Sequence, residues 1–341
     1  MPPHSPDARA LIRGGSRTFH AAALMLPRRI REPARELYAF CRLADDAVDG
    51  GEDAGAAVAM LHARLDALYV GRPDPADLRF AEVVDRHAIP RTLPDALIEG
   101  FAWDAQGRRY DTLHALHDYA ARVAGAVGAM MALVMGATSR EALARACDLG
   151  IAMQLSNVAR DVGEDARRGR LYLPLDWMRA EGIDPEAFLR DPCHTPALAR
   201  VVLRLLDDAS RLYASARGGI AHLPADCRPG IGVASRLYEE IGREVARRGG
   251  NAIASRAVVS PTRKSWAAAG SLASVAVTRR SSGVAVSPAA RFLVDAAARD
   301  ALAPGSSRRL SPQFGSRLAW TLDLFVELER REEARRAGSS A

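Results

Sequence analysis

Residues 141–165 read EALARACDLGIAMQLSNVARDVGED, and this stretch indicates the fold class of the chain. Its apolar residues follow helical spacing and would form one buried face: Leu143, Ala146, Leu149, Ile151, Leu155 and Val158. Gly169 and Pro174 come next, and proline cannot continue the hydrogen-bond ladder of a helix. The stretch therefore predicts a long, largely buried helix that ends near Gly169.

A second stretch, residues 33–48, has the same spacing in its apolar residues, which are Leu37, Phe40, Cys41, Ala44 and Val48. Further helical patterns cover residues 54–70, 77–88, 92–106, 196–222, 230–249, 288–303 and 312–336. The chain of 341 residues is rich in Ala, Leu and Arg, and only 6% of its residues are aromatic. Helices are therefore favoured over sheet, and the predicted fold class is all-α.

The charge balance is basic, with a formal net charge of +6 and a pI of about 9.5. Such an excess suits nucleic acid, an anionic membrane surface or anionic substrates. The chain has no zinc-finger spacing, no aromatic RNA-binding motif and no compact basic tract. We therefore expect no nucleic-acid partner.

The four cysteines lie far apart without a Cys-x-x-Cys pair, which argues against a zinc site or a disulfide framework. They are expected to be free thiols in a reducing cytoplasm. The apolar residues 21–26 are closed by Pro27 and are too few for a signal peptide or a membrane span. These observations predict a cytoplasmic protein.

The first acidic cluster lies on the predicted helix 33–48. Asp45 and Asp49 are four residues apart and share one helix face, whereas Asp46 points aside. Their repulsion requires a nearby cation, which is either Arg42 one turn earlier or a metal ion. Taken alone, the cluster fits a solvated acidic patch. The residues just before it are too apolar, however, for a surface without a function.

The second cluster is a polar stripe on the predicted helix 141–165, formed by Gln154, Asn157, Asp161 and Asp165 at steps of three and four. Two oxygen-lined helices that face each other across a cavity would offer carboxylate and amide ligands to magnesium. The neighbouring arginines suit diphosphate oxygens, because a guanidinium group binds them in a bidentate manner. They are Arg160, Arg167, Arg168 and Arg170.

These blocks resemble the squalene and phytoene synthase family over about residues 16–264. Three further blocks carry the resemblance: Gly15-Ser16-Arg17-Thr18-Phe19, Tyr119 with Val123-Ala124-Gly125, and the stretch from Tyr213 to Ile220. Residues 161–170, DVGEDARRGR, are closest to the phytoene-forming members. The resemblance implies a single helical isoprenoid-synthase domain around a central cavity, residues 1–266. Residues 267–341 would be a C-terminal extension with a linker at 271–287 and further helices.

The resemblance also implies a role for individual residues. The metal ligands would be Asp45, Asp49, Asn157, Asp161 and Asp165. Diphosphate contacts would come from Ser16, Arg42, Gln154, Arg160, Arg170 and Arg256. Tyr38, Tyr119 and Tyr238 would lie close to the reacting chains, although ordinary core positions remain an alternative for all three. Asp45, Asp49, Asp161, Asp165, Arg42 and Tyr119 would be the catalytic residues.

The implied reaction joins two geranylgeranyl diphosphates head to head. Magnesium, or manganese in its place, assists departure of diphosphate, and a cyclopropyl intermediate rearranges and loses a proton to give phytoene. No NADPH is expected. Two alternatives stay open, a squalene-type or dehydrosqualene-type synthase acting on farnesyl diphosphate and a non-catalytic member of the family. Residues 312–336 are expected to form a packed helix with a solvated tail, and a membrane-surface or partner helix is the alternative. Peripheral contact with the inner membrane is expected from the basic charge balance, the apolar product and this final amphipathic helix.

Two positions depart from the family pattern. Gly15 stands where histidine is common, and Ala120-Ala121 replace a Cys-Tyr pair. Both changes fall near the expected cavity, so the preferred chain length of the substrate stays open.

Overall fold

The computed structural model describes residues 25–49, 53–275 and 285–300. All regular elements in these ranges are helical, as predicted. The α-helices are α1 (Arg28–Asp49), α2 (Ala54–Tyr69), α3 (Leu78–His87), α4 (Thr92–Ala105), α5 (Leu113–Ala120), α6 (Ala126–Val134), α7 (Arg140–Arg167), α8 (Leu175–Ala180), α9 (Pro185–Arg190), α10 (Pro196–Gly219), α11 (Arg228–Arg247), α12 (Pro261–Val275) and α13 (Arg291–Asp300). A π-helical turn (Ala121–Gly125) joins α5 to α6, and 3-10 turns follow α10 (Ile220–His222) and precede α13 (Pro288–Ala290).

Helix α7 lies at the centre of the molecule and packs against α10, α6, α11 and the π-helical turn. The side chain of Ser139 caps its first turn by accepting a hydrogen bond from Ala142 N at 3.2 Å. At the other end, Gly169 adopts a φ of +73°, a conformation that glycine allows at little cost. The helix predicted over residues 141–165 is thus confirmed, with small extensions at both ends.

Helix α1 begins at Arg28, five residues before the predicted start at Pro33. Pro33 therefore lies inside the helix, in its second turn, where it removes one backbone hydrogen bond but does not mark the boundary. Leu26 and Ile30 are both buried, and the Arg31 guanidinium donates to the Leu26 carbonyl at 2.7 Å. These contacts explain why the helix extends further back than its pattern indicates.

Two glycines allow α6 and the π-helical turn to approach α7 closely. A Cβ atom built at Gly150 would lie 2.2 Å from the Ala124 carbonyl oxygen. One built at Gly128 would lie 2.3 Å from the Ala146 carbonyl oxygen. Neither position has room for a side chain, and the backbones pack directly together.

The C-terminal residues take part in the core. Helix α12 continues through Val275 and Ser271 is buried, so the first part of the predicted linker 271–287 is helical. Helix α13, within the predicted helix 288–303, packs on α4, α6 and α7 with Leu293 and Val294 fully buried. The predicted helix 312–336 lies outside the described residues. The domain boundary after residue 266 stays a prediction.

Among the described residues, no helix combines the length and the apolar character needed to cross a membrane. All four cysteines lie in this part of the chain and are free, as the sequence predicts.

Candidate active site

A cavity of about 260 Å³ lies between α6, α7, α10 and α11. Its walls are largely apolar and include Val127, Met131, Leu149, Met153, Ile231 and Ala234. Such a lining suits a long hydrocarbon and excludes water from it. The cavity predicted from the sequence is therefore present.

One end of the cavity is polar. Gln154 and Asn157 line it from α7, and Tyr238 lines it from α11 close to Arg160. Because residues three and four apart share a helix face, the same stripe of α7 continues from Asn157 to the two aspartates of the second cluster. The predicted stripe therefore begins in the cavity and leads out of it.

Asp161 lies between two guanidinium groups. Arg160 donates to its two oxygens at 2.7 and 2.6 Å, and Arg256 binds the same two oxygens at 2.8 and 3.1 Å. Arg256 reaches Asp161 because the loop after α11 packs on α7, where Gly163 N donates to the Ala252 carbonyl at 3.2 Å. The structure thus brings together three predicted site residues, of which Arg256 lies 95 positions from Asp161 along the chain.

Asp165 lies one turn further along α7. Burial, followed by the negative charge of Asp161, raises the pKa of its carboxyl to about 7, although the nearby charge of Arg170 works in the opposite direction. Arg170 is placed by the turn at Gly169, since its backbone N–H donates to the Asp165 carbonyl at 2.9 Å. Asp165 and Arg170 also line a small recess together with Tyr172.

The first cluster lies at the end of α1. Arg42 donates to Asp45 at 3.2 Å and to Asp46 at 3.1 Å, so this arginine offsets part of the charge of the two carboxylates. Tyr38 lies half-buried on the same helix, one turn before Arg42. Asp49 is the last residue of α1, but its side chain lies outside the described part of the structure, as does the whole of Ser16.

Tyr119 is buried away from the cavity lining. Its hydroxyl donates to Asp104 at 2.8 Å, and the Tyr172 hydroxyl donates to the other Asp104 oxygen at 2.7 Å. The ring of Tyr110 packs against both tyrosines. Burial raises the pKa of Tyr119 well above its usual value, so its hydroxyl stays protonated. Asp104 and Tyr172 were not among the predicted site residues, because nothing in the sequence distinguishes Asp104 from Asp95 and Glu99 of the same helix.

A buried ion pair lies at the other end of the cavity and was also missed. Arg145, which lines the cavity, binds Asp148 at 2.7 Å and donates to the Ala285 carbonyl at 3.0 Å. Burial raises the pKa of Asp148, while Arg145 opposes that shift. This pair joins α7 to the segment that leads into α13.

The oxygen atoms of the stripe suit a hard divalent cation. Within the described residues, no three His, Cys, Asp or Glu side chains form a ready-made metal cluster, and the Asp49 side chain is not among them. Burial, followed by the charge of Asp161, raises the pKa of Asp165, so additional positive charge would stabilise this carboxylate. A cation bound between Asp161, Asp165 and the Asn157 amide would supply that charge, so these residues fit such a group.

Fold and site together define an α-helical isoprenoid synthase, and comparison with solved structures agrees. The structure of a dehydrosqualene synthase with ligand has a TM-score of 0.72 and 27% identity, over 79% of this chain and 95% of that one. A squalene synthase from Alicyclobacillus acidocaldarius has a TM-score of 0.67 and 25% identity, over 72% of this chain and 93% of the other.

The sequence comparisons identify the family. Residues 12–263 match the squalene/phytoene synthase family model. A phytoene synthase from Rhodobacter capsulatus is 53% identical over 89% of this chain and 92% of its own. A 15-cis-phytoene synthase from Paracoccus sp. is 43% identical over 74% of this chain and 86% of its own. The chain belongs to the squalene/phytoene synthase family and is a prenyl-transferring enzyme.

Proposed function

We propose that the protein is a phytoene synthase that condenses two geranylgeranyl diphosphates head to head, through a cyclopropyl diphosphate, and releases diphosphate. The observation that carries this proposal is the stripe of α7, which runs from an apolar cavity to a group of carboxylates and guanidinium groups. Relatives described as phytoene synthases, at up to 53% identity, support the choice of product.

The metal in this proposal is Mg²⁺, with Mn²⁺ as a substitute. Its ligands would be Asp45, Asp49, Asn157, Asp161 and Asp165, all with the hard oxygen atoms that these ions prefer. When bound, the ion neutralises the charge that develops on the departing diphosphate. No nicotinamide is needed, because the final cation loses a proton instead of gaining a hydride.

The arginines hold the diphosphate. Arg160 and Arg256 already point at Asp161, so a substrate diphosphate that enters with the metal would take over their N–H donors. Arg170 and Arg42 would bind in the same way, assisted by Gln154 and Ser16. The guanidinium groups thus stabilise the leaving group at the polar end of the cavity.

The cavity protects the carbocations. Apolar walls exclude water, which would otherwise capture an allylic cation, and an aromatic face can stabilise positive charge. Tyr238 lines the cavity and fits this role, and Tyr38 is proposed to act from α1. Tyr119 contributes from outside the lining, by holding Asp104 in position.

A second candidate is a squalene-type or dehydrosqualene-type synthase that uses farnesyl diphosphate. The likeness to solved synthases of these two kinds favours it. The small Ala121 stands where a tyrosine is usual in the family, so the substrate chain length that the enzyme prefers has to be measured. A non-catalytic member would be expected to lack some of the acidic residues, and this chain keeps both clusters.

We also propose a cytoplasmic enzyme that touches the inner membrane. The substrate carries a charged diphosphate, whereas the product is a hydrocarbon that partitions into lipid.

The test is incubation of purified protein with geranylgeranyl diphosphate, with and without Mg²⁺ and without reductant, followed by mass analysis of the apolar extract. Phytoene that forms only with metal is the expected result. Turnover of farnesyl diphosphate alone would favour the second candidate. Absence of any product from either diphosphate would contradict both proposals.

A further inference from the structure

Helix α12 has two faces of opposite character. On its inner side, Ala268 packs against Met25, Val233 and Leu237, and Ser271 is buried. The residues on its other side are exposed, and we call them the outer face of α12: Thr262, Arg263, Trp266, Ala269 and Gly270. Helix α12 is therefore fixed to α11 on one side and faces solvent on the other.

Trp266 is the most exposed large hydrophobic side chain in the described part of the chain, at 76%. Val258, in the loop just before α12, is 63% exposed. Burial of an indole ring is favourable, so an exposed tryptophan does not contribute this free energy to the stability of the fold. Tryptophan is enriched where proteins meet the interface of a lipid bilayer, since its ring is apolar and its N–H is polar.

The sequence on either side of Trp266 carries charge of one sign. Residues 251–294 contain no Asp or Glu, although the chain has 41 acidic residues, and they contain six cations: Arg256, Arg263, Lys264, Arg279, Arg280 and Arg291. Arg263 faces one acid from a neighbouring element, Glu240 of α11 at 3.8 Å. Glu240 already binds Arg247 at 2.7 Å, so Arg263 is not fully neutralised. The stretch therefore favours an anionic partner.

The size of the outer face distinguishes a membrane from a protein partner. A helix of 15 residues is about 22 Å long, so one exposed stripe of it is far smaller than the roughly 800 Å² per partner of a stable protein interface. A bilayer requires no such area, because a single tryptophan and a few cations suffice for reversible binding.

The outer face is also close to the polar end of the active site along the chain. Arg256, which binds Asp161, precedes Val258 by two residues and α12 by five. A membrane bound at this surface would therefore lie near Arg256, one of the residues proposed to hold the diphosphate.

We propose that the outer face of α12, together with Val258, binds an anionic lipid bilayer, with the Trp266 indole inserted at the interface. This surface is distinct from residues 312–336, on which the sequence-based expectation rested in part. The reason for membrane contact rests on the proposed function, since a hydrocarbon product requires a lipid acceptor. The binding itself can be tested without turnover.

The test measures binding of the full-length protein to vesicles of phosphatidylglycerol and phosphatidylcholine, and to phosphatidylcholine alone. Each cation near an anionic surface contributes a factor of about five, so Arg263→Gln with Lys264→Gln should weaken binding to the anionic vesicles about 25-fold. Trp266→Ala should weaken binding to both kinds of vesicle. The matched control is Arg72→Gln with Arg86→Gln, which also removes two positive charges, at exposed positions elsewhere, and should bind as the parent does. Val70→Ala, at an exposed position away from α12, is the control for Trp266→Ala.

Brominated lipids give a direct readout. They should quench part of the parent's tryptophan fluorescence, and Trp266→Phe should lose that quenching. Undiminished quenching in this variant, or equal loss of binding in the control pair, would overturn the proposal. Phytoene formation assayed in detergent separates the proposed activity from the proposed membrane surface. A protein that makes phytoene but does not bind vesicles would contradict only the membrane-binding proposal.

Discussion

Asp161 is the residue on which the polar end of the site depends. Two arginines neutralise its carboxylate, which lets a charged group stay partly buried next to a second acid, Asp165. When metal and diphosphate arrive as a pair of opposite charges, Asp161 and its arginines each gain a new partner of the right sign. The carboxylate of Asp161 is therefore paired with positive charge both before and after binding.

Asp45 and Asp46 allow a matched test of the first cluster, because Arg42 binds both. We expect Asp45→Asn to lower kcat by about a hundredfold or more, since it removes a carboxylate from the proposed metal site. Asp46→Asn should change kcat by no more than about twofold, as an exposed ion pair contributes little. Steady-state kinetics with geranylgeranyl diphosphate, alongside thermal melts to verify folding, make the comparison. Equal activity of the two variants would refute the metal assignment of Asp45.

The raised pKa of Asp165 predicts how the binding of Mg²⁺ depends on pH. With a pKa of about 7 in the folded chain, its carboxyl is protonated at lower pH, and a cation must displace that proton. The apparent Mg²⁺ affinity should therefore rise up to tenfold per pH unit below about 7 and level off above it. Calorimetric titration in two buffers of different ionisation enthalpy would count the protons released.

The same group affects folding with the opposite sign. Because the folded chain holds the proton more tightly than the unfolded chain, metal-free protein should lose unfolding free energy as the pH rises from about 4 through about 7. Asp165→Asn should flatten both pH dependences. If they persist unchanged in that variant, another group is responsible.

At the scale of elements, the walls of the cavity depend on the close packing of α6 and the π-helical turn against α7. Gly128 and Gly150 remove the side chains that would hold these backbones apart. The shape of the cavity therefore depends on the absence of a side chain at Gly128 and Gly150 as well as on the apolar residues that line it.

Gly150→Ala should push α7 away from the Ala124 carbonyl, because the added methyl group has only 2.2 Å of space. We expect a loss of about 1–3 kcal/mol in unfolding free energy, measured by urea denaturation. Gly270→Ala is the control, since this helical glycine has open space around it and should gain up to about 1 kcal/mol. A neutral effect at Gly150 would mean that the helices can separate freely.

The sequence predicted the bounds of single helices well, but it did not predict the side-chain contacts between them. The period of residues 141–165 gave α7 to within two residues at either end, because its buried face is continuous. The link from Asp104 to Tyr119 and Tyr172 could not be predicted, since it joins residues up to 68 positions apart and no local pattern encodes such a contact. The same applies to Arg145 and the Ala285 carbonyl.

At the scale of the whole molecule, the core includes a segment that the family match leaves out. The match ends at residue 263, yet α13 packs on α4, α6 and α7. Leu293 would lie 3.5 Å from a Cβ atom at Gly125, beside the turn that leads into α6. The helices around the cavity are thus supported from outside by the C-terminal residues.

Leu293→Ala should therefore destabilise the protein as a core substitution does, by about 2–5 kcal/mol. Val70→Ala, at a position 70% exposed, should change stability by no more than about 0.5 kcal/mol. Urea denaturation of both variants gives the comparison. A Leu293→Ala variant as stable as the parent would show that α13 is dispensable for the core.

The cysteines have a practical consequence. Cys147 and Cys227 are buried, and burial raises the pKa of Cys41 and of Cys227 to about 12, which keeps both as unreactive thiols. Cys193, in the loop between α9 and α10, is exposed and does not line the cavity. A maleimide dye should attach there first, since Cys41 is only partly exposed, and this would provide a site-specific spectroscopic label on the natural sequence.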